Sequence, residues 1–326
     1  MKFLFLFKAM PTVLLGIVMG VGITPAFAVD GVAPNALLPD LFELDGNPYQ
    51  DIGAPDDVTW YTPHDWDTLH TYCPGGICPT ISGVSVPYEF TGILSDPAPV
   101  TIFTTGGSKD THDILDWKYK DGSVPDKDDI TNAYAAAYLN EADICYQNGT
   151  ETACLPGDTP LHYAGDLMIY FGLDRFDNSG DAYAGFWFLQ NSVGLKDGNF
   201  TEGHVAKREV WDDDLGENVI LPGDILILVE YPQGSGAIPV IKAYMWDPDL
   251  LPPENLDEDN KSIGPLEMFY NSSNGSGTAL CDGYGNKLAC AITNAADLTT
   301  PPAWPYLSKD DTDWFPYETF YEGGIN

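Results

Sequence analysis

The sequence predicts an all-β protein, a β-sandwich of the jelly-roll (concanavalin or lectin-like) type with long loops. Short runs of branched and aromatic residues recur along the chain, and clusters of Gly, Pro, Asn and Asp separate them. Long helical segments do not alternate with these runs, as they would in an α/β protein. Many short strands joined by such turns therefore favour packed antiparallel sheets.

The N-terminus has the pattern of a targeting segment. Lys2 and Lys8 precede an apolar core, Val13–Ile23, and Ala26–Ala28 has the small-x-small form of a cleavage site. The apolar core is shorter than the ~20 residues that a bilayer span needs, which argues against the alternative of a membrane anchor. We interpret residues 1–28 as a signal peptide and expect a secreted or cell-surface protein without membrane insertion.

The charge of the chain is strongly negative. It carries 49 Asp and Glu against 14 Lys and Arg, a formal net charge of −35. Phosphate backbones would be repelled by this surface, so nucleic acid is not an expected partner. A solvated acidic coat accounts for most of the charge. Binding of divalent cations by a few clustered carboxylates is the alternative.

The six cysteines fall into three close pairs. In an exported protein an even number of cysteines indicates disulfides. The simplest pairing joins neighbours along the chain and closes three short loops, each worth about 2–3 kcal/mol in the chain-entropy model. A zinc site is the alternative for the first pair. The predicted disulfides are Cys73–Cys78, Cys145–Cys154 and Cys281–Cys290.

The mature chain begins with an arm that differs from the rest. Residues 29–83 are rich in Pro, Asp and Gly and contain FELDGN and HDWDTL. We expect an extended arm with a few strand-like pieces, packed on the β-sandwich domain of residues 84–326. That domain is predicted to start with strands at Val84–Gly92 and Pro99–Thr104.

Asp121–Leu139 is ambiguous between helix and strand. Ile130, Tyr134 and Tyr138 recur at helical spacing, and the alanine run also favours a helix. At period two, Ala133 and every second residue after it form one face of a strand. Because the neighbouring segments are strand-like, we favour a strand.

The centre of the sequence reads as a β-hairpin. Leu167–Leu173 and Ala182–Gln190 are the predicted strands, and the polar segment DRFDNSGD is their predicted turn.

Four further segments continue the β pattern. His204–Trp211 and Val219–Leu221 flank an acidic turn, and Asp224–Tyr231 is the clearest buried strand of the chain. Ile238–Trp246 alternates well enough to pair with it across Pro232–Ala237.

Several motifs together resemble a family of exported bacterial proteins. They are FELDGN, FTTGGSKDTHDILDWKYKDGSVPDKDDITNAYAAAY, DLMIYFGLDRFDNSGDAYAGFWFLQ, GDILILVEY, IKAYMW and the terminal FYEGGIN. The family is an uncharacterised module near the start of large surface or secreted proteins. The resemblance implies an extracellular context and no reaction. Its members run on beyond the segment similar to FYEGGIN, so the resemblance implies a truncated or partial chain here.

A calcium site is the first predicted functional feature. Asp174, Asp177, Asn178 and Asp181 lie within eight residues, and Ca²⁺ prefers six to eight oxygen ligands on a flexible loop. The spacing is not that of an EF-hand. A polar turn in which Asp and Asn bond their own backbone explains the same residues and is the alternative. Calcium is the cofactor that we expect from the sequence.

Three further residues are candidates for ligand binding. Arg175 is one of two arginines, and its fork suits either an anionic ligand or a structural ion pair. Trp66 and Trp211 are flanked by Asp, so we expect them to be exposed and able to stack on sugar rings. Most of the other tryptophans lie in strand-like runs, where core packing is expected.

Recognised catalytic motifs are missing from the sequence. It has no GxSxG, no HExxH and no Gly-rich phosphate loop before a helix. We therefore expect a non-catalytic surface or matrix module that binds glycan or an extracellular protein, with calcium as an aid. A secreted glycan-active hydrolase or lyase is one alternative, because the fold can bring two carboxylates together. A purely structural spacer is the other.

Overall fold

The computed structural model describes 19 strands, one α-helix and three short 3-10 helices. The described residues are 2–4, 42, 46–49, 64–79, 87–96, 100–104, 110–139, 144–147, 150–155, 167–212, 216–231, 240–250, 264–271, 289–294 and 296–325. The predicted signal peptide, apart from Lys2–Leu4, falls outside them. None of the helices in these ranges has the length and apolar character that a membrane crossing requires.

The chain forms two compact units, and each is built from separate stretches of sequence. Unit 1 comprises Met1–Pro25, Ala98–Asp128 and Gly180–Gly277. Unit 2 comprises Ala26–Pro97, Asp129–Ser179 and Thr278–Asn326.

Unit 1 contains a five-stranded sheet and three two-stranded sheets. The large sheet has the order β1-β10-β15-β16-β17, antiparallel except for the parallel pair β1–β10. The smaller sheets are β4–β5, β11–β12 and β13–β14. The strands are β1 (Lys2–Leu4), β4 (Val100–Phe103), β5 (Tyr119–Gly122), β10 (Ala182–Phe188), β11 (Leu195–Lys196), β12 (Asn199–Phe200), β13 (Arg208–Asp212), β14 (Glu217–Leu221), β15 (Ile225–Tyr231), β16 (Val240–Trp246) and β17 (Leu266–Asn271).

The core of unit 1 forms around β15, which is buried on both faces. Leu226 and Leu228 pack into an aromatic cluster, and the alternate residues Ile227 and Val229 are also fully buried. A strand covered on both sides reads as a continuous apolar run, which is why its position was clear from the sequence. The cluster consists of Ile114, Trp117, Trp187, Phe200, Leu226, Leu228, Tyr244, Trp246 and Leu266.

Unit 2 contains an antiparallel six-stranded sheet, a two-stranded sheet and the helix. The large sheet has the order β18-β19-β9-β6-β2, and β3 also pairs with β6. Two 3-10 turns lie in unit 1, at Ile114–Asp116 and Asp126–Asp128, and one in unit 2, at Pro74–Gly76. The elements are α1 (Trp66–Tyr72), β2 (Glu89–Phe90), β3 (Leu94–Ser95), β6 (Ile130–Leu139), β7 (Ile144–Gln147), β8 (Thr150–Ala153), β9 (Leu167–Arg175), β18 (Ala289–Thr293) and β19 (Phe320–Ile325).

The predicted all-β class is confirmed, as are several predicted strands. Asp121–Leu139 contains a strand, β6, after a short 3-10 turn. The predicted pairing of the ILILVEY strand with the following segment is present as β15–β16, and the acidic turn after Trp211 joins β13 to β14. Two predicted disulfides, Cys73–Cys78 and Cys145–Cys154, are formed. The predicted Cys281–Cys290 pair is not tested, because Cys281 lies outside the described residues.

The predicted central hairpin is wrong. Both strands exist, but β9 pairs with β6 and β19, whereas β10 pairs with β15. The chain passes from unit 2 to unit 1 between Ser179 and Gly180. The polar segment is therefore a crossing between two sheets. Its Gly and Asn content, which suggested a hairpin turn, suits any sharp change of direction, and Gly180 indeed has a φ of +76°.

Residues 29–83 were expected to form an extended arm with a few strand-like pieces, but the HDWDTL segment within them is helical. It begins helix α1, with Asp65 at the N-cap accepting a hydrogen bond from the backbone N–H of Trp66. Asp before a run with apolar residues three apart is an ordinary helix-start signal. Trp66 and Leu69 lie on one face and are completely buried in the core of unit 2, together with Phe42.

Candidate functional site

Four regions contain the residues with potential chemistry. Two of them are buried. The third is the polar segment DRFDNSGD (Asp174–Asp181), which we call the crossing segment, and the fourth is a hairpin on the surface of unit 1.

The first buried region consists of two carboxylates on neighbouring strands of unit 2. Asp174 on β9 and Glu322 on β19 are both inaccessible to solvent. Trp304 Nε1 donates to Asp174 Oδ2 at 3.0 Å, and Trp66 Nε1 donates to Glu322 Oε2 at 2.9 Å. Each carboxylate thus accepts a hydrogen bond from an indole.

Further donors complete these two arrangements. Asn132 Nδ2 donates to Asp174 Oδ1 at 2.8 Å, and the N–H of Gly46 donates to Glu322 Oε1 at 2.7 Å. Burial raises the pKa of Asp174 to about 7, although the bonds from Trp304 and Asn132 act in the opposite direction. Burial disfavours the charged form more strongly than these two donors favour it.

The ring of Tyr134 lies between the two tryptophans. Its centroid is 4.5 Å from that of Trp66 and 5.4 Å from that of Trp304. Directly opposite on β9 is Gly172, where an added Cβ would lie 2.3 Å from the Tyr134 ring and 2.9 Å from the Tyr321 carbonyl oxygen. Only glycine leaves room for the tyrosine at this position.

A pKa near 7 suits a general acid, but the burial of Asp174 withholds its carboxyl group from any substrate. The two carboxylates instead have a structural role. Glu322 binds helix α1 to the sheet through Trp66, and Asp174 binds the C-terminal segment to the sheet through Trp304. In the same unit His64 Nδ1 lies 2.7 Å from the Tyr138 hydroxyl, and burial lowers the pKa of His64 to about 4. We interpret this region as a structural polar network.

The second buried region, in unit 1, pairs His204 with Asp224. His204 Nδ1 lies 3.0 Å from Asp224 Oδ2, and neither side chain is exposed. The imidazole ring is stacked 4.4 Å from the ring of Trp246 and lies 4.2 Å from that of Trp187. Asp224 also accepts from the backbone N–H groups of Gln190 and Val205.

The Asp224 carboxylate fixes the orientation of His204, since a neutral imidazole must then carry its proton on Nδ1. Within the described part of the chain, His204 Nε2 and Trp187 Nε1 are buried without a hydrogen-bond partner. An oriented histidine is half of a catalytic arrangement, but no nucleophile is placed against it among these residues. This region also fits a role in anchoring loops to the sheet.

The crossing segment holds the four predicted calcium ligands, and their recorded contacts are with protein groups. Asp177 accepts from Lys309 Nζ at 2.7 Å and from Ser179, and Asn178 donates to the Tyr317 carbonyl. The Asp181 carbonyl accepts from Lys127. Asp181 belongs to unit 1, and the other three belong to unit 2.

No group of three or more His, Cys, Asp and Glu side chains in the described residues is placed to hold a metal ion. The calcium site stays a prediction, and the hydrogen bonds described above fit the alternative of a bonded turn. Arg175 is only 2 % exposed and donates from Nη1 to the Glu318 carbonyl. Its guanidinium is therefore part of the interior of unit 2 rather than displayed to a ligand.

The hairpin β13–β14 is the region that displays side chains to solvent. Its register places Trp211 opposite Asn218 and Glu209 opposite Ile220. Because strand residues alternate between faces, these four side chains share one face, which we call the outer face. All four are exposed, with Trp211 at 62 % and Ile220 at 48 %.

The two tryptophans predicted to be exposed behave differently. Trp211 is exposed, as expected. Trp66 is completely buried, because its indole packs against Phe42 and donates to Glu322. An adjacent Asp is the only local sign of exposure at either tryptophan, and beside Trp66 this residue, Asp65, is instead the N-cap of helix α1.

Sequence reasoning missed Asp224, His204 and Glu322. Each lies in a segment whose pattern shows only a strand or a loop, and their hydrogen-bond partners lie 19 to 276 residues away along the chain. Comparison with protein-family models, curated proteins and solved structures found no match to this chain.

Proposed function

We propose that this protein is a non-catalytic extracellular module that binds glycan through the outer face of the β13–β14 hairpin. The observation that carries the proposal is Trp211, a large aromatic side chain that is 62 % exposed on a strand with polar neighbours on the same face. Five of the other seven tryptophans are buried in the two cores: Trp66, Trp117, Trp187, Trp246 and Trp304.

The chemistry of the outer face suits a sugar ring. An exposed indole offers a flat apolar surface for the C–H face of a pyranose, and the ring loses little conformational entropy on binding. Glu209 and Asn218 provide acceptors and donors for hydroxyl groups beside it. Residues directly opposite on paired strands lie about 5 Å apart, so Asn218 is within reach of a sugar stacked on Trp211.

The setting of the proposal is extracellular. The predicted signal peptide, the two short disulfide loops and the strand-rich fold are typical of exported binding modules. As part of the same proposal, the chain is a member of the uncharacterised family of exported bacterial surface proteins that its motifs resemble. Its sheets are proposed to be of the lectin-like, jelly-roll type.

The rival function is a secreted glycan hydrolase or lyase. It would need two accessible carboxylates at a cleft. Asp174 and Glu322 are the two buried carboxylates that neighbouring strands of unit 2 bring together, and both are inaccessible. This pair therefore does not supply the accessible acid and base of such an enzyme.

The test is a binding panel with polysaccharides and matrix proteins, read out by pull-down and titration. The variant Trp211→Ala is expected to lose about tenfold or more in affinity, as aromatic hot-spot residues do. Tyr88→Ala is the matched control, since Tyr88 is an exposed aromatic (65 %) in unit 2. Binding that Trp211→Ala leaves intact, or release of sugar ends from the polysaccharides, would overturn the proposal.

Calcium is proposed as an aid to this module at the crossing segment. Ligand binding to the native state alone raises stability by about 2.7 kcal/mol at a hundredfold excess over the dissociation constant. A melt with Ca²⁺ and with a chelator therefore tests it. A rise in Tm that Asp177→Ala abolishes supports the ion, and an unchanged Tm assigns the segment to its hydrogen bonds alone.

A further inference from the structure

We infer that the core of unit 1 contains a binding site for one water molecule, which bridges His204 and Trp187. The water donates a hydrogen bond to His204 Nε2 and accepts one from Trp187 Nε1. The inference is carried by these two buried nitrogen atoms, which have complementary hydrogen-bonding roles and no partner among the described protein groups. It is independent of the proposed glycan binding.

The imidazole of His204 is held in one orientation. Its Nδ1 lies 3.0 Å from Asp224 Oδ2, and the Asp224 carboxylate also accepts from the backbone N–H groups of Gln190 and Val205. Because an ionised carboxylate can only accept hydrogen bonds, Nδ1 must carry a proton. In the neutral ring this leaves a lone pair on Nε2, so Nε2 is an acceptor.

The indole of Trp187, on β10, supplies the opposite role, because its Nε1–H can only donate. Both groups are removed from solvent. The His204 side chain has no exposed area, and Trp187 is 8 % exposed. Leaving a buried donor or acceptor without a hydrogen bond costs free energy, and most such atoms in proteins bond to protein groups or to ordered water.

The two rings do not satisfy each other. Their centroids are 4.2 Å apart and their planes are inclined by 37°, so the rings lie more nearly face to face than edge to edge. The N–H of Trp187 and the lone pair of His204 both lie in the planes of their own rings. Each therefore points past the facing ring, and a third group beside the two rings has to complete the hydrogen bonds.

The chemistry of the two nitrogen atoms identifies this third group. It must accept from the indole and donate to the imidazole lone pair. The indole N–H would repel a cation, and the lone pair would repel an anion. Nor do the described residues place three or more His, Cys, Asp and Glu side chains to hold a metal ion. A water molecule has both roles, and buried waters in proteins occupy sites between polar groups of this kind.

The surroundings favour a molecule as small as water. The ring of Trp246 is stacked 4.4 Å from that of His204, and the ring of Trp117 lies 5.6 Å away, edge to face. Trp117 Nε1 is engaged elsewhere, since it donates to the His112 carbonyl at 3.1 Å. His204 precedes β13 in the chain, so the water joins the segment that leads into the β13–β14 hairpin to strand β10.

The experiment is NMR spectroscopy on the isotope-labelled full chain. The ring nitrogen resonances of His204 report which nitrogen is protonated, and a cross-peak between Trp187 Hε1 and water reports a bound water molecule. We expect Nδ1 to be protonated, Nε2 to resonate as a lone pair that accepts a hydrogen bond, and the cross-peak to have the sign of a long-lived water. An Nε2–H tautomer, or a Trp187 Hε1 without this cross-peak, would overturn the inference.

A pair of matched variants tests the bridge from its other end. Trp187→Phe keeps an aromatic ring and removes the donor, so the His204 Nε2 resonance should move downfield as its hydrogen bond is weakened or lost. Trp117→Phe removes the other indole near His204, whose N–H is bonded to His112, and should leave both the Nε2 resonance and the Trp187 cross-peak unchanged. An Nε2 resonance that ignores Trp187→Phe, or that moves as far in Trp117→Phe, would contradict the bridge. The wild-type spectra decide the matter even if a variant does not fold.

Discussion

At the scale of single residues, the buried ionisable groups of unit 2 make stability depend on pH in opposite directions. Burial raises the pKa of Asp174 from its ordinary value of 3.8 to about 7. Burial lowers the pKa of His64 from 6.5 to about 4. Asp174 therefore stabilises the fold fully at low pH, whereas His64 does so only above its unfolded pKa.

The first prediction concerns Asp174. Since its folded pKa is raised, its contribution is fully present below about pH 4 and is lost as the pH rises to about 7. His64 changes in part of the same window with the opposite sign, so the difference between wild type and Asp174→Asn isolates the carboxyl group. That difference in the free energy of unfolding should fall by an amount on the order of 3–4 kcal/mol between these limits.

Asp177→Asn is the matched control for this measurement. Burial alone would raise the pKa of Asp177, but hydrogen bonds from Lys309 and Ser179 lower it overall. Its contribution is therefore present above the ordinary pKa and is lost as the pH falls. A flat difference curve for Asp174→Asn, or one of the same sign as that for Asp177→Asn, would refute the prediction.

The residue scale also shows what local sequence can and cannot predict. Trp66 and Trp211 are each adjacent to Asp in the sequence, yet Trp66 is buried and Trp211 is exposed. The difference is made by Glu322, which is 256 residues from Trp66 and accepts its indole N–H. A contact of that kind leaves no local pattern, so the exposure of Trp211 was predictable and the burial of Trp66 was not.

At the scale of elements, strands were predictable and their partners were not. The continuous apolar run of β15 and the period-two patterns of β6 and β16 indicated where these strands lie. The segment after β9 looked like a hairpin turn, but β9 instead pairs with β19, about 150 residues further along the chain. A segment rich in Gly, Asn and Asp indicates that the chain changes direction, but it does not indicate which strand pairs with the strand before it.

The second prediction tests the close packing of β6 against β9. Gly172→Ala places a Cβ against the Tyr134 ring and the Tyr321 carbonyl, so it should destabilise the protein by about 1–3 kcal/mol. Tyr134→Ala removes the nearer obstacle. The double variant should therefore lose clearly less stability than the sum of the single losses, as measured by denaturant unfolding. Strictly additive losses would show that the tyrosine ring does not set the need for glycine.

At the scale of the whole molecule, the chain is divided in a way that composition does not reveal. Each unit is assembled from three separate stretches, and the chain passes between the units several times. The arm contributes Phe42 and Trp66 to the same core as Phe320, near the C-terminus. Such interleaving depends on long-range pairing, whereas the all-β class depends only on local pattern. The class was therefore predictable and the units were not.

The last prediction concerns the net charge of the whole chain. With 49 acidic and 14 basic residues, repulsion among carboxylates opposes the compact state. Salt shortens the screening length from about 10 Å at 0.1 M to about 3 Å at 1 M, so Tm should rise by several degrees over that range of NaCl.

Removing two exposed charges, in Asp310→Asn/Asp311→Asn, should raise Tm at low salt and reduce the increase of Tm with NaCl concentration. Sucrose, which stabilises without screening, should act equally on both proteins. A Tm that falls with NaCl would mean that salt weakens ion pairs such as Lys207–Glu267 more than it relieves the repulsion of the acidic surface.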